Sequence, residues 1–69
     1  QIAFTSKKDG NWNVYVIDRF TKVITQMTSD VADEMAPSFD AQGKLAFASN
    51  KSGTYRLYQL DEKKSWNKL

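Results

Sequence analysis

The sequence predicts an all-β fold built from a repeated antiparallel unit, and three observations lead to this prediction. Short runs of β-branched and aromatic residues alternate with turn residues along the 69-residue chain. These runs are apolar on both faces, as Trp12 and Val14 alternate with Tyr15 and Ile17. Finally, residues 2–18, IAFTSKKDGNWNVYVID, align without a gap on residues 45–61, LAFASNKSGTYRLYQLD, with seven of 17 positions identical.

The period of this repeat, 43 residues, is typical of a propeller or another array. A sheet with one face in water would alternate apolar and polar residues, so each sheet is predicted to lie between two neighbours. Four-stranded blades around a central channel have this property. We therefore predict a fragment of a β-propeller, with about one and three-quarter four-stranded antiparallel blades.

Seven strands are predicted in chain order. The first copy has three, at residues 2–6, 12–17 and 23–27, and the second has four, at residues 36–39, 44–49, 54–61 and 66–69. Pro37 cannot donate a ladder hydrogen bond and is expected at the start of its strand. The chain thus divides into residues 1–28, the last three strands of one blade, and residues 29–69, an inter-blade loop and one blade. The first copy lacks an inner strand, which predicts an edge open to pairing.

Several polar residues recur at the ends of strands. Asp9-Gly10 and Gly43 supply the permissive backbone of tight turns. Asp18 and Asp61 occupy equivalent places before a turn, where an Asp side chain accepts hydrogen bonds from nearby amides. Because Asp18 and Asp61, like Ser6 and Ser49, occur in both copies, we interpret them as structural residues, since a catalytic residue needs to occur only once.

Composition argues against several classes of function. The net charge is only +2 and the positive residues are scattered, whereas a nucleic-acid surface normally needs a clustered patch. No apolar run approaches the ~18 residues of a membrane span, so we expect neither a nucleic-acid partner nor membrane insertion. The chain has no Cys and no His, so we expect no cofactor or metal, and a nucleophilic triad would need residues from elsewhere in a longer protein. We expect the chain to be a piece of such a protein, because it begins with Gln1 rather than Met and because so short a chain is only marginally stable without disulfides, metal or partners.

One cluster of carboxylates lies between the two copies, at Asp30, Asp33 and Glu34. Such residues can bind Ca²⁺ or cleave sugars by acid and base catalysis, but the spacing lacks the alternating oxygen ligands and Gly of an EF-hand loop. We interpret the cluster as a solvated acidic connection. With Asp40 and Gln42 of the next hairpin, these residues are the candidates for binding a partner, because loops on a scaffold carry such contacts.

Two further patterns have structural interpretations. Residues 6–12, SKKDGNW, are similar to the Asp box of sialidase-type propellers, but the Asp stands one place late and the Trp one place early, which favours a plain hairpin. Five aromatic residues could stack on sugars or bases, yet their spacing of two within strands is more typical of packing between blades. They are Trp12, Tyr15, Tyr55, Tyr58 and Trp66.

At the scale of the whole chain, the residues resemble the TolB-type propeller repeat, a relative of the WD repeat. The second copy matches this pattern at Met27-Thr28, Glu34, Pro37-Ser38-Phe39, Gly43, Leu45-Ala46-Phe47, Ser49, Gly53, Leu57-Tyr58 and Asp61. The first copy matches it at Ile2-Ala3-Phe4, Ser6, Gly10, Val14-Tyr15 and Asp18. The family's W-S-P-D-G segment reads FDAQG here, with one residue missing before Leu45, which implies a tighter hairpin.

This resemblance implies a non-catalytic scaffold for protein–protein interaction, like the propeller of TolB-like bacterial envelope proteins, in a periplasmic or other extracytoplasmic setting. A protein partner would bind a propeller face through loops such as residues 29–35 and 40–43, and further blades of the parent chain would complete the ring. The alternative is the non-catalytic gating propeller of a prolyl-oligopeptidase-like or tricorn-like serine peptidase, which a downstream G-x-S-x-G motif would establish. A sugar-cleaving propeller is a third hypothesis and needs paired carboxylates in the channel.

Overall fold

The computed structural model describes residues 1–8 and 10–69, and these residues form antiparallel β-strands without a helix. The strands are β1 (Ile2–Ser6), β2 (Asn13–Ile17), β3 (Ile24–Gln26), β4 (Glu34–Phe39), β5 (Leu45–Ser49), β6 (Arg56–Leu60) and β7 (Trp66–Lys68). They form two sheets, one of order β1-β2-β3 and one of order β4-β5-β6-β7. The prediction of an all-β chain, with three strands in the first copy and four in the second, is confirmed.

The internal repeat is visible in the pairing of the strands. Phe4 lies opposite Tyr15 in the first sheet, and the equivalent Phe47 lies opposite Tyr58 in the second. The rings stack in both pairs, with centroids 5.7 Å and 6.3 Å apart. In each pair the two rings lie on the same face of the sheet, because residues opposite each other across a ladder share a face.

The last strand of each sheet departs from the 43-residue period by one position. Tyr15 lies opposite Gln26, whereas its equivalent Tyr58 lies opposite Lys68. The cause is the turn before the last strand, which is one residue longer in the first sheet: it closes from Asp18 to residue 23, and its counterpart closes from Asp61 to residue 65. From this turn onward the structural period is therefore 42 residues.

The core lies between the two sheets. Val14 and Val16 of β2 face four buried residues of the second sheet, which are Leu45, Phe47, Tyr58 and Leu60. Strand β4 contacts both β1 and β2, so the first strand of the second sheet makes the closest approach to the first sheet. The predicted packing of sheet against sheet is present on this face of each sheet.

Strand β4 differs from its prediction, because it begins at Glu34 and not at residue 36. The pairing of β4 with β5 shifts register between Met35 and Ser38, and Ala36 inside this bulge has φ 52°. Pro37 therefore lies inside the strand and not at its start. A bulge explains this, because it leaves residues outside the ladder, where the missing N–H of proline costs nothing.

The first hairpin can be described only in part, since Asp9 lies outside the described residues. Gly10 has φ 96°, and its N–H donates a 3.0 Å hydrogen bond to the carbonyl of Lys7. Glycine adopts this backbone conformation without a steric penalty. The prediction of a tight turn is thus confirmed at Gly10, and the pattern similar to an Asp box depends on Asp9, which lies outside the described residues.

Candidate functional site

The connections between strands gather at two opposite ends of the molecule. Because successive strands run in opposite directions, residues 7–8, 10–12, 27–33 and 50–55 lie at one end, the loop end, and residues 18–23, 40–44 and 61–65 lie at the other, the turn end. The six residues of β4 separate the ends by about 20 Å at roughly 3.3 Å per residue. The candidates Asp30, Asp33 and Glu34 are therefore brought together, whereas Asp40 and Gln42 lie at the far end.

Asn11 joins the first hairpin to the connection between the sheets. Its side-chain amide nitrogen donates to the backbone carbonyls of Asp30 and Ala32, at 2.6 Å and 2.8 Å. These carbonyls belong to a segment that is not part of a β-strand. The two hydrogen bonds from Asn11 therefore take the place of the strand pairing that would otherwise satisfy them. No sequence pattern had indicated Asn11 as a residue of this site.

Asp33 joins the connection to both hairpins of the loop end. Its Oδ1 accepts a 2.9 Å hydrogen bond from the N–H of Trp12, and its own N–H donates to Oδ1 of Asn50 at 2.9 Å. The N–H of Asn50 in turn donates to the Asp33 carbonyl at 3.2 Å. The three segments of the loop end are consequently tied into one surface by Asn11 and Asp33.

Glu34 is fully buried, which contradicts its interpretation as part of a solvated loop. Its Oε1 accepts a 2.9 Å hydrogen bond from the hydroxyl of Thr28, and its Oε2 accepts one of 3.0 Å from the hydroxyl of Ser49. Thr28 Oγ1 also accepts from the N–H of Val14 at 2.9 Å. Buried carboxylates need such donors, and the donors come from segments on both sides of the inter-sheet boundary.

Asn13 completes this buried cluster. We assign its amide so that Nδ2 lies 2.9 Å from Glu34 Oε1 and 3.2 Å from the carbonyl of Asp30. In the opposite orientation the amide oxygen would face two acceptors, which is unfavourable. Asn13, Thr28, Glu34 and Ser49, all buried, form a polar cluster that bridges the two sheets, and we call it the Glu34 cluster.

Burial raises the pKa of Glu34 above its ordinary value, and the hydrogen bonds from Thr28 and Ser49 oppose this shift. The nearby carboxylates of Asp30 and Asp33 raise the pKa further. The carboxylate is shielded from solvent, so no substrate in solution reaches it. The arrangement therefore supports a structural role, in which one acidic residue at the start of β4 satisfies donors from both units.

A cleft of about 370 Å³ opens beside this cluster at the loop end, lined by Ser29, Asp30, Val31, Lys51 and Trp66. Nζ of Lys51 lies 3.7 Å from Oδ2 of Asp30 and 4.1 Å from the centroid of the Trp66 ring. Val31 is 93% exposed at the tip of the connection. The loop end thus presents an apolar tip next to a paired acid and base.

The candidates at the turn end have a different environment. Oδ1 of Asp40 accepts from the N–H groups of Gln42 and Lys44, at 2.9 Å and 2.8 Å, and its Oδ2 accepts from Nε2 of Gln59 at 2.7 Å. Asp40 therefore shapes its own hairpin. Gln42 is exposed and lines a groove of about 430 Å³ between the sheets, so its predicted contact with a partner stays a prediction.

The repeated aspartates have the predicted structural role. Oδ1 of Asp18 accepts from the N–H groups of Phe20 and Thr21, and Oδ1 of Asp61 accepts from those of Lys63 and Ser65, at distances of 2.9–3.0 Å. The bonds from Thr21 and Phe20 lower the pKa of Asp18. The prediction of amide-accepting turns at both positions is confirmed.

Neither a metal centre nor a spanning helix is found in the described part of the chain. No three His, Cys, Asp or Glu side chains of residues 1–8 and 10–69 are grouped so that they could hold a metal ion. Within the same residues, no helix has the length and apolar character needed to cross a membrane. No family model, curated protein or solved structure matches this chain.

Proposed function

We propose that this chain is a segment of a β-propeller and serves as a non-catalytic scaffold for a protein partner. In this proposal β4–β7 are one blade, and β1–β3 are three strands of the blade before it. Two features support the architecture. The strand pairs β1–β2 and β5–β6 repeat the same register, and the two sheets pack face to face through a continuous apolar core. Four-stranded meanders that stack in this way are the units of propellers.

The observation that carries the scaffold function is the construction of the loop end. Segments of both units are tied together there through Asn11 and Asp33, so the surface is ordered before any partner binds. An ordered surface loses less conformational entropy on association. Val31 supplies an exposed apolar contact, and the Asp30–Lys51 pair supplies a polar rim. An apolar centre with a polar rim is the usual composition of a protein–protein interface.

The resemblance to the TolB-type repeat supports two further parts of the proposal. One is that the partner is a protein. The other is that the chain belongs to a periplasmic or otherwise extracytoplasmic bacterial protein. Fold alone does not determine function, so the test must address the surface itself.

The experiment places a photo-reactive amino acid at Val31 and, as a control, at Phe20, which is 80% exposed at the turn end. Irradiation in the cell of origin is expected to give a discrete protein adduct from position 31 and none from position 20. The purified partner is then titrated against Val31→Asp and Phe20→Asp. We expect Val31→Asp to weaken binding at least about tenfold, or ~1.4 kcal/mol. Equal affinities for the two variants would contradict the proposal.

A further inference from the structure

The outer face of the second sheet carries an apolar row that crosses β4, β5 and β6 and ends at Leu69, directly after β7. Met35 lies opposite Ala48, and Ala48 lies opposite Leu57. Leu69 continues the row, since its N–H donates to the carbonyl of Leu57 at 3.0 Å. The three large residues of the row are exposed, Leu57 to 58%. A contiguous apolar surface of this kind marks an interaction site.

The equivalent row of the first sheet shows what covers such a face. Thr5 lies opposite Val14, and the N–H of Met27 donates to the carbonyl of Val14 at 2.8 Å, as Leu69 does to Leu57. Val14, the counterpart of Leu57, is 0% exposed, and Met27 packs against the core. The cover is the four-stranded second sheet. The occupant of the outer face is therefore indicated by the molecule's own packing.

At one position of the repeat, the outer face of the second sheet differs chemically from the equivalent face of the first sheet. Asn13 lies opposite Ser6, and Arg56 lies opposite the equivalent Ser49. In the interface within the chain, the amide of Asn13 donates to the carboxylate of Glu34 on the covering sheet. At the outer face the same place holds the exposed guanidinium of Arg56. An Arg–carboxylate bond carries charge on both partners and is frequently bidentate, which adds geometric specificity as well as energy.

We infer that the outer face of the second sheet binds a further four-stranded unit of the same repeat, whose first strand begins with a carboxylate residue that pairs with Arg56. The contact is head to tail, because the face that receives the new unit differs from the face that the unit presents. This inference rests on the propeller architecture proposed above. It adds the chemistry by which the next unit is selected.

The test extends the full chain after Leu69 with a second copy of residues 28–69. Leu69 is the structural counterpart of Met27, so this junction continues the repeat in phase. Urea unfolding is followed by circular dichroism for the 69-residue chain and for the extended chain. We expect the appended copy to fold cooperatively and to raise the unfolding midpoint of the extended chain.

Leu57→Lys in the original copy tests whether the appended copy covers the outer face of the second sheet. We expect this variant to lower the midpoint of the extended chain and to leave that of the 69-residue chain unchanged. Phe20→Lys, at an exposed apolar residue of the turn end, is the matched control and should affect both chains equally. If the appended copy stays unfolded, or if Leu57→Lys has no selective effect, both the inference and the propeller architecture are wrong.

Selection by charge is tested with Arg56→Glu and a control of equal charge change, Arg19→Glu, in an exposed turn. We expect Arg56→Glu to reduce the folding equilibrium constant of the extended chain roughly tenfold or more relative to the control. Arg56→Asn introduces the residue type that the first sheet has at the equivalent position, Asn13. This variant should retain most of the stability of the extended chain. Arg56→Ala should lower the stability of the extended chain, and this loss should disappear when the Glu34 of the appended copy is replaced by Gln.

The two proposals fail in different ways. A selective effect of Leu57→Lys together with equal effects of Arg56→Glu and Arg19→Glu would overturn the pairing with Arg56 and leave the propeller architecture standing. The pairing would also be overturned if Arg56→Ala changed the stability of the extended chain by the same amount with Glu and with Gln at position 34 of the appended copy.

Discussion

The hydroxyl of Ser49 donates a 3.0 Å hydrogen bond to the carboxylate of Glu34, and both side chains are fully buried. Ser49 belongs to the repeated part of the sequence, whereas Glu34 is the first residue of β4 and lies outside the two aligned segments. The contact therefore joins a residue of the repeated segment to a residue that the sequence pattern assigned to a solvated loop. Thr28 and Asn13, which bond the same carboxylate, join it to the first sheet.

Glu34→Gln is expected to destabilise the fold by about 1–3 kcal/mol, because the new amide nitrogen meets donors where the carboxylate accepted from them. The measurement is the free energy of unfolding in urea at pH 7. Glu62→Gln, in an exposed turn, is the matched control and should change the free energy by less than about 0.5 kcal/mol. Equal stabilities of the two variants would contradict the role of the Glu34 cluster.

The raised pKa of Glu34 predicts a specific pH dependence. Its pKa in the folded state lies above the ordinary 4.5, so the folded state binds the proton more tightly than the unfolded state does. The contribution of Glu34 to stability is then largest below pH 4.5 and is lost as pH rises through the folded pKa. The free energy of unfolding of the native chain, minus that of Glu34→Gln, should therefore fall as pH rises above 4.5. A difference that stays constant or rises over pH 4–7 would contradict this prediction.

Two lysines with positive φ predict a stabilising substitution. Lys22 has φ 65° and Lys64 has φ 63°, at equivalent places in the two turns that precede β3 and β7. In this left-handed backbone conformation a residue with a side chain reduces the stability of the fold by roughly 1 kcal/mol, and glycine does not. We expect Lys22→Gly and Lys64→Gly each to stabilise the fold by about 0.5 kcal/mol, after the greater flexibility of glycine in the unfolded chain is included.

The control for these variants is Lys63→Gly, one residue away in the same turn and without a positive φ. It should be neutral or destabilising in the same thermal unfolding measurement. A stabilisation by Lys63→Gly as large as that by Lys64→Gly would show that the backbone conformation is not the cause.

Phe47 and Phe20 offer the same substitution in opposite environments. Phe47 is 1% exposed between the sheets, with the Trp66 ring 4.8 Å away between centroids. Phe47→Ala removes a buried ring and is expected to cost about 3–5 kcal/mol. Phe20→Ala, at the turn end, should cost less than about 0.5 kcal/mol. Comparable unfolding midpoints for the two variants would contradict the location of the core.

Most of the strand layout could be predicted from local residue patterns. The recurrence of Phe4 and Tyr15 as Phe47 and Tyr58 indicated two copies of one unit, and apolar residues at a spacing of two indicated its strands. The turn aspartates Asp18 and Asp61 were predicted from the hydrogen-bonding capacity of a short carboxylate side chain next to free amides. Such features depend on neighbours within a few residues.

The sequence by itself determined the all-β class, the two copies and the turns that join their strands, because strand periodicity and turn chemistry are local. Only the tertiary structure decided which equivalent residues are buried. Val14 and Leu57 hold the same place in the repeat, yet one lies under the second sheet and the other is exposed. Glu34 is buried for the same reason, since Thr28 and Asn13 approach it only when the two sheets pack, whereas Ser49 lies opposite it in the same sheet. Burial depends on what lies across the interface, and the sequence of one strand does not encode its neighbour.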